Sequence, residues 1–73
     1  MTQEQHAAEL NESRKPAVLA QIENVGGGLD GARWMRTHYL TRARRQRQDA
    51  YERAAWMACA RHAHAAVMAC VRA

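Results

Sequence analysis

Apolar positions near the start of the chain recur with helical spacing rather than strand alternation. At about 100° per residue, Ala7, Leu10, Val18, Ile22, Val25 and Leu29 fall within one sector of about 120°, with Glu9, Glu12 and Glu23 opposite. Thr2 with Gln5 three residues on has the form of a capping box. Pro16 marks either a bend or the permissive first turn of a second helix capped by Ser13. The pattern predicts an amphipathic helical arm over 1–25.

Gly26-Gly27-Gly28, with Asp30-Gly31 behind it, cannot hold a helix interior cheaply and predicts a turn over 26–31, after which Asp30 is a natural N-cap. From Ala32 to Ala73 there is no Pro or Gly, and Ala and Arg, two of the best helix formers, dominate. This predicts one long helix over 32–73, about 60 Å in length, with a break near Thr41, which can cap a new helix, as the competing reading. Its apolar stripe aligns Met35 and Tyr39 with Ala50, Met57, Ala60, Val67, Met68 and Val71, and Trp56 borders it. Arg42, Gln46 and Arg53 interrupt the stripe, leaving a sticky start, a polar middle and a sticky end. Asp49 is placed to pair with Arg45 and Arg53 one turn either side. Strands find no support. The expected fold is an all-α helical hairpin forming a single domain.

The amount of apolar material changes that picture. The 73 residues include sixteen Ala and no Phe, so little area is available to bury. An arm of about twenty residues folded across the turn shelters only about twenty residues of the long helix, from Ala32 to about Ala50. Trp56, Met57, Ala60, Val67, Met68 and Val71 then lack a neighbour in their own chain, and a homodimer held by those residues is expected.

Charge divides the chain. Residues 1–32 carry five acids against Arg14 and Lys15, and residues 33–73 carry nine Arg against Asp49 and Glu52; the halves, −3 and +7, give the net +4. The basic segment Arg33, Arg36, Arg42, Arg44, Arg45 and Arg47 has Trp34 and Tyr39 among its members. Arg and aromatic side chains anchor protein interfaces, and Arg also makes forked contacts to phosphate. Trp34, Arg36, Tyr39, Arg44, Arg45, Arg47 and Tyr51 are therefore the expected partner-binding set. The expected function is a non-catalytic protein-interaction module, a small bacterial or phage-encoded regulator or inhibitor that masks a surface of a host protein. The alternative is a dimeric nucleic-acid-binding regulator using the Arg33–Arg47 segment, although neither a helix-turn-helix spacing nor a leucine zipper is present. The bacterial or phage source is suggested by Arg outnumbering Lys ten to one beside abundant Ala, a bias of G+C-rich codons.

Other chemistry has less to stand on. Cys59 and His62 share a helix face, but His64 points elsewhere and Cys70 is three turns from Cys59, so no metal site is expected. Two Cys without an export signal read as cytoplasmic thiols. The Gly triplet lacks the Lys and Ser/Thr of a phosphate loop, and the Glu residues sit on a solvated face. No enzyme activity, no cofactor and no membrane span are expected.

Overall fold

The computed structural model describes the backbone of residues 3–73 and the side chains from residue 13 onward. Three helices follow in order: α1 (Gln3–Asn24), α2 (Gly28–Arg45) and α3 (Ala50–Arg72). No strand occurs among the described residues, so the all-α expectation holds. Thr2 and the side chains of Gln5, Ala7, Glu9, Leu10 and Glu12 lie outside the described residues.

α1 is continuous through Pro16, with Ser13 inside it, so the arm is one helix rather than two. It ends at the glycines. The N–H of Gly27 donates to the Ile22 carbonyl at 2.9 Å and that of Gly26 to the Glu23 carbonyl at 3.2 Å, the paired bonds of a Schellman motif. Gly26, Gly27 and Gly28 have φ of 113°, 70° and 62°, a run that side chains with a Cβ resist. α2 therefore starts at Gly28, and Asp30 sits in its first turn instead of capping it.

The long helix is two helices. Gln46 to Asp49 form a short connection, several residues beyond Thr41, whose hydroxyl donates to the Thr37 carbonyl at 2.9 Å within α2. Asp49 adopts an extended conformation and its carboxylate accepts the Glu52 N–H at 3.0 Å, so it is the N-cap of α3 and not an ion-pair partner of Arg45 or Arg53. The longest extent of the molecule is 37 Å, where a continuous rod would need about 60 Å.

α3 runs back antiparallel along α2: Tyr39 stacks on Trp56 with centroids 6.1 Å apart, while Arg36 donates to Nδ1 of His64 at 3.1 Å. The small residues Ala55, Ala58, Ala60 and Ala63 line the buried face of α3 and let it approach closely. One core results, from Val18 and Ile22 of α1, Ala32, Met35 and Tyr39 of α2, and Cys59, Ala60, Ala63 and Val67 of α3. Leu29 packs against its edge, and Val25 is exposed.

This return path removes the geometric reason for expecting a second subunit over the far end. Ala60 and Val67 are buried in their own chain; Trp56, Met57 and Met68 are half-buried; Val71 is exposed. Because the chain reverses at Gln46–Asp49, α3 lies against α1 and α2 instead of extending beyond them.

Gly31 marks the closest approach of α2 to the end of α1. A Cβ built there would stand 2.9 Å from the Ile22 carbonyl oxygen, a backbone atom that cannot rotate aside. Gly31→Ala is expected to lower stability by about 1 kcal/mol, the overpacking strain of about 1–3 kcal/mol outweighing a helix-propensity gain of about 1 kcal/mol. Thermal denaturation should register this as a fall of about 4–8 °C in Tm.

Candidate functional site: the outer face of the second helix

Burial on α2 is one-sided: Gly31, Ala32, Met35, Tyr39 and Ala43 face inward. The opposite side carries a mixed face. Arg33 and Arg44 lie within about 20° of each other on one edge; Asp30, Thr37 and Thr41 run along the middle; Trp34, Arg45 and His38 form the other edge. Long side chains around two short threonines leave an open trough of about 600 Å³, lined by Asp30, Arg33, Trp34, Thr37, His38, Thr41, Arg42 and Arg45. All of these belong to α2.

Trp34 is 58% exposed, an unusual position for an indole. It is held in place by the His38 ring, stacked at 5.5 Å with 13° between planes, and His38 in turn meets the edge of Tyr39 at 5.7 Å. The exposed ring is thus linked through His38 to Tyr39 of the core. Among the described residues, Arg33, Arg44, Arg45 and Arg47 take part in no ion pair, so their charge is not neutralised within that part of the fold.

The sequence-derived set divides on the structure. Trp34, Arg44, Arg45 and Arg47 are exposed on or beside the face. Arg36 turns toward α3 and is engaged by His64. Tyr39 is 5% exposed and stacks on Trp56, so it belongs to the core and not to the outer face of α2, in keeping with its place on the apolar stripe with Met35. Tyr51 is 53% exposed in the first turn of α3, across the connection. Arg42 lies over the Trp56 ring at 5.7 Å, a cation–π contact that couples the end of α2 to α3. Asp30, Thr37, His38 and Thr41 were missed, although at about 100° per residue they fall within one sector of about 100° on the helix.

A second concavity lies where α1 and α2 diverge above α3. It has a volume of about 320 Å³ and takes Arg14, Ala17, Val18 and Gln21 from α1, Met35, His38 and Tyr39 from α2, and Trp56 and Cys59 from α3. Burial pushes the Cys59 thiol above its usual value, with nearby Arg14 acting against the rise. Burial likewise raises the Tyr39 phenol, reinforced by Cys59. Cys70 is exposed on the last turns of α3. Among the described residues, no group of three or more His, Cys, Asp or Glu is arranged to hold a metal ion. No helix among them is long and apolar enough to cross a membrane.

The two raised groups give a pH dependence with a definite sign. Both are neutral when buried, and in the unfolded chain they ionise near 9.0 for Cys and 10.0 for Tyr. Their contribution to stability is full below those values and is lost as pH rises through the higher folded values. Tm should therefore hold steady from neutral pH to about pH 8 and fall above pH 9. In the same samples, a thiol reagent should label Cys70 at once and Cys59 only as the helices open.

The chain matches no family model, no curated protein and no solved structure.

Proposed function

We propose that this protein is a non-catalytic interaction module that docks the outer face of α2 against an acidic surface of a larger host protein, and so regulates or inhibits that protein by covering the surface. One observation carries the reading: an exposed, buttressed Trp34 stands among arginines without ion pairs in the described fold. Arg and Trp are the side chains that most often dominate interface energetics, and unneutralised charge steers association toward an acidic partner. The face belongs to a single helix open to water, an arrangement suited to docking and unsuited to the water-excluding cleft that catalysis uses.

The test is affinity capture from a bacterial lysate at low and at moderate salt, with bound proteins identified by mass spectrometry. The reading requires a defined partner that wild-type protein retains and that a variant lacking the α2 arginines does not.

A nucleic-acid-binding role is the second reading, favoured by cations on both edges of one helix face, Arg33 and Arg44 on one side and Arg45 on the other. Gel-shift titration separates the two. A phosphate-dominated complex weakens steeply with salt in proportion to the charges neutralised, and no shift of DNA or RNA at low salt would end this reading.

A further inference from the structure

α1 and α2 share the Gly turn and then separate, and the space between them is not fully closed by α3. The Tyr39–Trp56 stack, with centroids 6.1 Å apart, lies beside that space. The groove of about 320 Å³ opens there, at the lower end of the roughly 300–1,000 Å³ typical of small-ligand sites. Its floor is apolar, with Val18 and Met35 buried and Trp56 half-buried.

One full cation stands at its mouth. Arg14 makes no ion pair among the described residues. Gln21 and His38 share the rim, and Glu52 faces the adjoining lobe of about 150 Å³ that Arg14 also lines, without reaching ion-pair distance. A guanidinium beside an apolar floor complements a ligand with a carboxylate at one end and a ring or short chain at the other, because the fork of donors grips a carboxylate in two places.

We infer that the groove between α1 and α2 binds a small amphiphilic monocarboxylate, with Arg14 holding the carboxylate and Met35, Tyr39 and Trp56 receiving the apolar end. The site shares only His38 with the trough on the outer face of α2, and its failure would leave the docking reading untouched because Arg33, Trp34, Arg44 and Arg45 take no part in it.

The probes are 4-phenylbutyrate and its neutral counterpart 4-phenyl-1-butanol. They are titrated into a Trp34→Phe variant, in which Trp56 is the sole remaining tryptophan. Saturable change in Trp56 emission with the acid, at least tenfold tighter than with the alcohol, is the expected result. Arg14→Gln should erase that preference; Arg14 is exposed on α1, so circular dichroism should be unchanged. Ala17→Phe, also at an exposed position on the groove wall, should block both probes. Equal binding of acid and alcohol, binding unaffected by Arg14→Gln, or no saturable change with either probe each overturns the inference.

Discussion

Tyr39→Ala is expected to abolish cooperative folding. The ring is 5% exposed, stacks on Trp56 at 6.1 Å and touches the edge of His38 at 5.7 Å, so it contacts the centre of α3 while buttressing the outer face of α2. The core around it is small, and three of its buried members, Ala32, Ala60 and Ala63, are alanines, which cannot expand into the space left behind. Truncation of a buried aromatic costs about 3–5 kcal/mol, and a core in a chain this small supplies about that much in total. Urea titration followed by far-ultraviolet circular dichroism should show a sloping, non-cooperative loss of helix where the wild type shows a sigmoid. Tyr39→Phe keeps the ring and the stack and should unfold within about 1 kcal/mol of wild type. A cooperative transition retained in Tyr39→Ala would mean that the α2–α3 interface does not depend on this stack.

The second large effect concerns binding. Replacing Arg33 by Glu and Arg44 and Arg45 by Gln should leave the helices intact and weaken partner capture on the order of a hundredfold or more, the scale expected when several interface arginines are removed together. Gln is chosen at the last two positions because they lie in the final turn of α2, where an acid would oppose the helix dipole by about 0.3–1 kcal/mol each. None of the three arginines has an ion pair to lose among the described residues, so Tm should change little. Arg36→Ala provides the contrast: its bond to His64 links α2 to α3, so it should act on stability more than on capture. Unchanged capture by the triple variant, with the fold intact, would exclude the outer face of α2 as the docking surface.

Much of the fold was legible in the sequence, and the parts that were not have physical causes. The Gly triplet announced the end of α1, and helical spacing placed Val18 and Ile22 on the buried side. The connection at Gln46–Asp49 was hidden because no Gly or Pro marks it and because Asp49 fits two roles equally well in a linear reading. As a helical residue it pairs with Arg45 and Arg53; as an extended residue it caps α3 through the Glu52 N–H. The polar interruption of the apolar stripe was the available signal. Arg42, Gln46 and Arg53 break the stripe because the chain reverses there, and the two apolar segments on either side pack against each other within the chain.

The site was legible to a similar degree. Arg44, Arg45 and Arg47 are exposed, as their residue type suggests, and Trp34 is exposed beside them although an indole is more often covered. Tyr39 fits both the apolar stripe and the binding set, and its burial against α3 assigns it to the stripe. Thr37, His38 and Thr41 carry no compositional signal. Their significance comes from lying on the side of α2 that neither α1 nor α3 covers.

The three glycines at the end of α1 have a consequence for descent. Their left-handed backbone tolerates almost no other residue without strain, whereas an Ala-rich interface accepts exchange among small side chains. Over long divergence the tripeptide should persist while the surrounding faces drift, making it the marker by which distant kin of this chain can be recognised.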